Sequence, residues 1–321
     1  MRGVWDGRAT DVGGVRAIGE PLLEQTGTAT TVRVLIIGAN GEFTAVMTID
    51  QEAGLVSGLR LDAGGEPVTP WTPPAYADPS RFEEHEIVLG SGPLAVPGTL
   101  SLPSTAGAHP AVVLLSGGGP FDRDETIGSN KPLKDIAWGL ASRGIAVLRF
   151  DKITNIRPEI MTEDGGFTAT AEYVPHATAA VRLLREHPSV DRDHVFVLGH
   201  SMGGTMAPRV AAAGEPTVAG LVLMAGATVP MHRAGIRVVE HLAALAPDHG
   251  ESARPLIEEL TQQAGLADRA NVTFRIYHAD DHMFFPGSDP STPASYDPPQ
   301  HVDPEAVEDI ASWLLETAID A

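Results

Sequence analysis

Gly199-His200-Ser201-Met202-Gly203 constrains this chain more than any other stretch. The apolar, β-branched run His194 to Leu198 precedes it, and the helix-like segment Thr205 to Ala213 follows. A glycine two residues before and two after a serine, between a strand and a helix, makes a very tight turn. Side chains at Gly199 and Gly203 would collide with neighbouring backbone, and the strained turn lifts the Ser201 hydroxyl clear of the sheet. A turn built this way presents a nucleophile.

Around it, short continuous apolar strands alternate with helices. Phe82–Leu89 and Leu94–Leu102 read as a first hairpin. Strands are expected at Pro110–Leu115, Ile145–Phe150, His194–Leu198, Val218–Met224 and Val272–Tyr277. Helices are expected at Lys131–Arg143, Thr168–Glu186 and Pro304–Thr317, with helix-like stretches at His232–Ala246 and Ser252–Gln263. Such alternation implies an α/β fold with a mostly parallel sheet covered on both faces. Residues 28 to 61 differ: the strands Thr31–Ile37, Glu42–Ile49 and Leu55–Leu61 suggest a small antiparallel sheet. The expected domains are therefore residues 1–66, a proline-rich linker at 67–80 and an α/β domain at 81–321, in which 228–265 form a reduced cap.

Composition narrows the chemistry. The chain has no cysteine, which rules out disulfides, thiolate catalysis and cysteine-bound zinc. Its net charge of −20 disfavours nucleic acid and anionic membrane surfaces. No signal-like leader and no long apolar span is visible, so a cytoplasmic location is expected. No nucleotide motif or metal-ligand spacing is found, and neither a cofactor nor a metal is expected. The partner expected is a small-molecule acyl substrate.

A serine hydroxyl needs a base. His282 follows the last expected strand and is the candidate, whereas His278 and the carboxylates Asp280 and Asp281 read as solvated loop groups. Acyl transfer also needs donors for the oxyanion. The backbone N–H of Met202, next after the serine, is one. Gly118, in the run Ser116-Gly117-Gly118-Gly119-Pro120, is the other, with Gly119 in reserve. Ser116, Gly119 and His200 are candidates for the substrate pocket. No carboxylate stands where a third member should follow a strand; Asp248, Glu251 and Asp268 are among the nearest acids.

The run from Ser116 to Gly128, then Asn130-Lys131-Pro132, Arg149-Phe150-Asp151-Lys152, the serine turn and Ser291-Thr292-Pro293 together carry a resemblance. They resemble the esterase D-type, dienelactone-hydrolase-like branch of the bacterial α/β-hydrolases, which carries a small N-terminal β-rich domain. The resemblance implies the α/β-hydrolase fold and cofactor-free serine ester hydrolysis of small to medium acyl esters or lactones. It assigns Ser201 as nucleophile, His282 as base and the Gly118 and Met202 amides as oxyanion hole. The chain departs from that branch at Ser116, where His is usual, and at Ile153, where Arg is usual. The branch's seventh strand and its catalytic Asp are not found. Without that strand an open edge is expected, and with it a homodimer. A Ser–His dyad also leaves open a non-hydrolytic tailoring enzyme (cyclase, isomerase or acyltransferase) or an inactive binding protein.

Overall fold

The computed structural model describes residues 13–26, 29–50, 55–63, 70–163, 167–214, 216–226, 273, 275–287, 293–296 and 298–319. The chain divides into two compact units, Met1–Trp71 and Thr72–Ala321.

The smaller unit is an antiparallel sheet of β1 (Val15–Ile18), β2 (Leu22–Thr26), β3 (Ala29–Gly38), β4 (Glu42–Asp50) and β5 (Leu55–Ala63). Its strand order is β1-β3-β4-β5, with β2 also paired to β3. The hairpin between β3 and β4 closes with the Gly38 N–H donating to the Gly41 carbonyl at 2.8 Å. Ile36, Phe43 and Ala45 form its buried cluster. The strands β1 and β2 were not expected: they are short, and their apolar side chains Val15, Ile18, Leu22 and Leu23 are exposed instead of marking one buried face.

The larger unit is built on β6 (Phe82–Leu89), β7 (Val96–Pro103), β8 (His109–Leu115), β9 (Ala146–Phe150), β10 (Val190–His200) and β11 (Leu221–Met224). Their order in the sheet is β11-β10-β8-β9-β7-β6. The pairs β8·β9, β8·β10 and β10·β11 are parallel, and β6 and β7 are the antiparallel exceptions. The helices are α1 (Pro132–Ala141), α2 (Ile153–Ile156), α3 (Ile160–Glu163), α4 (Ala169–Glu186), α5 (Met202–Ala211) and α6 (Pro304–Ile319).

Two-residue alternation along β8 sorts the core into two layers. Ala111, Val113 and Leu115 face one cluster, with Ala177, Ala180, Val181 and Leu184 of α4 and Met206, Ala207 and Val210 of α5. Val112 and Leu114 face the other, with Leu133, Ile136 and Leu140 of α1 and Val307, Ile310 and Leu314 of α6. Burial on both faces explains why β8, β9 and β10 read as continuous apolar runs.

The chain leaves β8 toward β9 on one side and later returns to lay β10 on the other. The carboxyl ends of β8 and β10 therefore flank a topological switch point, where parallel sheets leave a crevice. Ser116 and Ser201 each sit just beyond one of these ends.

From Tyr76 the chain, rich in proline in this region, is tied to the larger unit. The Tyr76 hydroxyl donates to the Val302 carbonyl at 2.9 Å, and the Asp78 N–H donates to Ser142 Oγ at 2.8 Å. Residues 227–272, with the expected cap and the candidate acids Asp248, Glu251 and Asp268, lie outside the described residues. Of the last expected strand, the described residues 273 and 275–277 are not in strand conformation.

Candidate active site

The serine turn is as tight as its glycines require. A Cβ on Gly199 would lie 2.3 Å from the Gly203 carbonyl carbon, and one on Gly203 would lie 2.3 Å from the Leu115 carbonyl oxygen. Both neighbours are backbone and cannot yield. Ser201 itself has φ 51° and ψ −114°, a strained conformation for a residue with a side chain. Its N–H donates to the Met224 carbonyl of β11 at 2.8 Å, which anchors the turn to the sheet. The other described non-glycine residues with positive φ are Glu125, Ala225 and Phe284. Each lies in a segment that touches this site: the loop after β8, the end of β11, and the loop that carries His282.

His282 Nε2 lies 3.0 Å from Ser201 Oγ, within hydrogen-bond reach. Desolvation, and then the neighbouring His200 ring, push the His282 pKa down to about 4, while Glu125 acts in the opposite direction. The ring is thus neutral near pH 7 and can accept a proton. Among the described residues, no carboxylate hydrogen-bonds its Nδ1. His278 is exposed, as expected.

Asp281 corrects the expectation of a solvated charge. It is partly buried, and its Oδ1 accepts the N–H groups of Met283 at 2.8 Å and Phe285 at 3.1 Å. Burial raises its pKa against the opposing effect of those amides. It shapes the loop that presents His282, while Met283 and Phe285 anchor that loop in the core. Asp280 is likewise not simply solvated, since its Oδ2 is buried.

The glycine loop after β8 lies over the serine turn. A Cβ on Gly117 would be 3.3 Å from Ser201 Cβ, and one on Gly118 would be 3.5 Å from Met202 Sδ. The Gly117 N–H donates to Glu125 Oε1 at 2.8 Å, and is therefore engaged. The Gly117 carbonyl accepts from Lys152 Nζ at 2.9 Å and from the Tyr173 hydroxyl at 2.7 Å. In a trans peptide the C=O and the following N–H point in opposite directions. Holding the Gly117 carbonyl against Lys152 and Tyr173 turns the Gly118 N–H the other way. Gly119, with φ 126°, is exposed and packs beside Phe121. Ser116 is buried, and its carbonyl accepts from the Tyr173 hydroxyl at 2.9 Å.

The acid-rich run Asp122-Arg123-Asp124-Glu125 pins this loop in four directions. Asp122 accepts from the N–H and hydroxyl of Thr126 at 2.9 and 2.6 Å. Arg123 pairs with Asp151 at 2.9 Å and with Glu86 at 2.7 Å. Asp124 accepts from Arg149 at 2.8 Å and Lys131 at 3.2 Å, and these cations hold its carboxyl well below the usual carboxylate range. Glu125 reaches inward to His200 at 3.0 Å. His200, a pocket candidate by sequence, is buried, and both of its ring nitrogens are engaged.

Sequence reasoning had no part for Glu125, Lys152 or Tyr173. Glu125 and Lys152 nevertheless stand in runs that carry the family resemblance, whereas Tyr173 had no such signal. Glu84 and Glu86 on β6, which carry no role in the sequence analysis, complete the Arg149 and Arg123 pairs.

The chain is similar to several known proteins. Esterase EstD of Thermotoga maritima is 29% identical over 332 aligned residues, covering 86% of this chain and 77% of the relative. The family profile described as serine aminopeptidase, S33, matches residues 128–283, which include the serine turn and His282. The larger unit has the α/β-hydrolase fold. The chain also aligns with 2,6-dihydropseudooxynicotine hydrolase of Paenarthrobacter nicotinovorans at 29% identity, over 45% of this chain and only 35% of that protein's length. Among solved structures, a dienelactone hydrolase from Anabaena variabilis is similar at 22% identity, with 57% of this chain and 80% of that one covered and a TM-score of 0.39. Among the described residues, no helix is long and apolar enough to cross a membrane, and no cluster of side chains could hold a metal ion.

Proposed function

We propose that this hydrolase cleaves small to medium acyl esters or lactones through Ser201, with His282 as base. The observation that carries the reading is the 3.0 Å contact between His282 Nε2 and the hydroxyl of a strained serine at the start of α5. In the first step Ser201 Oγ attacks the ester carbonyl carbon while its proton passes to His282 Nε2. The carbonyl π pair moves to oxygen, which the N–H groups of Gly118 and Met202 receive. As the tetrahedral species collapses, the C–O bond to the alcohol breaks and the leaving oxygen takes the proton from His282. Water, activated by the same histidine, then releases the acid and restores Ser201.

Three features support the assignment of the amides. Met202 begins α5, where N–H groups have no partner within the helix. Gly118 lies against Met202. Lys152 and Tyr173 hold the carbonyl of the peptide to which the Gly118 N–H belongs, and a hydrogen-bonded carbonyl makes its own N–H a better donor.

The test is fluorophosphonate labelling with intact-mass detection, alongside turnover of short p-nitrophenyl esters. The expected result is one adduct and measurable turnover in the wild type, both lost in Ser201→Ala. A folded wild type that takes no label refutes the reading. A single adduct without ester turnover moves the assignment to acyl transfer or cyclisation on the same serine.

A further inference from the structure

Three parts of the site come from distant stretches of the chain: the serine turn, the glycine loop after β8, and the loop that carries His282. Two buried side chains outside the proposed chemistry join all three. Glu125 Oε1 accepts the Gly117 N–H at 2.8 Å and faces His200 Nδ1 at 3.0 Å. His200 is bonded through the backbone to Ser201, and its Nε2 lies 2.9 Å from the His282 carbonyl oxygen.

The chemistry of these contacts fixes a charge. A carbonyl oxygen only accepts, and so does a carboxylate. Both nitrogens of His200 must therefore donate, and a neutral imidazole carries a single N–H. Glu125 makes the same demand from its side. It is almost wholly buried, and its Oε2 has no hydrogen-bond partner among the described residues. A carboxylate in that position needs a cation against it. Lys152 is nearby, but it is itself bonded to Glu172 at 3.2 Å.

We infer that His200 is a permanent imidazolium clamped between Glu125 and the His282 carbonyl, and that this ion pair is the positioning element that sets His282 and the glycine loop against Ser201. The inference rests on reading Ser201 and His282 as the reacting pair. The clamp acts on geometry by fixing the backbone of residue 282, and so the point from which the imidazole reaches Ser201. It also acts on charge. The His200 and His282 rings lie 5.0 Å apart, so a cation on one disfavours protonation of the other. The charged and titratable groups facing His200 are Glu125 from the glycine loop and Asp281 and His282 from the histidine loop; those facing His282 are His200 and Glu125. Glu125 and Asp281 favour the charged form of His200, and its pKa is raised despite burial.

Nitrogen-15 histidine NMR of the full chain reads this without turnover, with His200 assigned by the signal lost in His200→Gln. The expected result is a ring with hydrogen on both nitrogens at pH 7 in the wild type, and with one hydrogen in Glu125→Gln. A His200 ring with a single hydrogen at pH 7 in the wild type overturns the inference. The second readout is the rate of fluorophosphonate labelling against pH. In His200→Gln the labelling should slow about tenfold or more. Its acid limb should also move up by about one pH unit, because His282 loses a neighbouring cation while Glu125 remains. Slower labelling with an unmoved limb is what a merely structural role produces, and it overturns the inference. If the wild type takes no label at any pH, the reading of Ser201 fails, and the NMR result still decides the charge of His200.

Discussion

The two loops that serve Ser201 are held by opposite means. The glycine loop after β8 is held by charge: Arg123, Asp124 and Glu125 each find a partner on a different element, and most of those partners are buried. The histidine loop is held by packing and backbone. Met283 and Phe285 enter the core, Asp281 caps the turn, and the Asp303 N–H donates to the Phe284 carbonyl at 2.8 Å. The difference follows from what each loop delivers. In the proposed reaction the glycine loop presents bare amides; it has no side chains of its own to pack, and its anchors stand a few residues away and reach out with charges. The histidine loop delivers a side chain, and its neighbours are free to be apolar. Among the described residues, His200 bridges the two.

The comparison can be broken at four places. The largest effect is expected for His282→Ala, which removes what the packed loop exists to deliver. Its kcat should fall by roughly 10⁴- to 10⁶-fold, read with a p-nitrophenyl ester. The same side chain sets the pH profile. Because the pKa of His282 is lowered, the wild-type kcat/KM should hold through neutral pH and fall as pH drops through about 4, where the ring becomes protonated and can no longer accept from Ser201.

Next comes Arg149→Met. It takes the guanidinium from both the buried Asp124 carboxylate and Glu84, leaving Asp124 with the lysines Lys131 and Lys134, at a cost of about 3–5 kcal/mol in urea unfolding. The double variant Arg149→Met with Asp124→Leu should recover part of that stability, because the Asp124 charge is no longer stranded, while Lys131 and Glu84 each still lose a partner. A double variant as unstable as the single one would mean that shape, not charge, holds the loop. Met283→Ala tests the other loop and should cost about 2 kcal/mol through the cavity it leaves. The smallest effect is expected for Asp122→Ala, about 1 kcal/mol, since Asp122 only closes a local turn on Thr126. Its melting curve should lie close to that of the wild type.

The sequence was legible where a local rule acts. Apolar continuity marked β8, β9 and β10, because a strand buried on both faces has no polar positions to spare. The helix after the serine begins at Met202 rather than Thr205, because the turn itself supplies the first helical residues. Leu221–Met224 is shorter than the apolar run Val218–Met224, since Val218 to Gly220 approach β10 without joining the ladder.

By itself, then, the sequence determined the α/β architecture, the serine turn and the rank of Ser201 and His282 as the groups to bring together. Glycine spacing and hydrophobic period are properties of neighbours along the chain, and they act before anything else is folded. Only the tertiary structure decided what the charges do. Glu125 and His200 are 75 positions apart, and His200 and His282 are 82. Glu84 and Arg149 are 65 apart. No local pattern carries an interaction over such separations. A carboxylate on a strand looks the same in sequence whether it faces water or a buried guanidinium. It is burial, known only once the sheet has assembled, that turns these charges from surface decoration into the frame of the site.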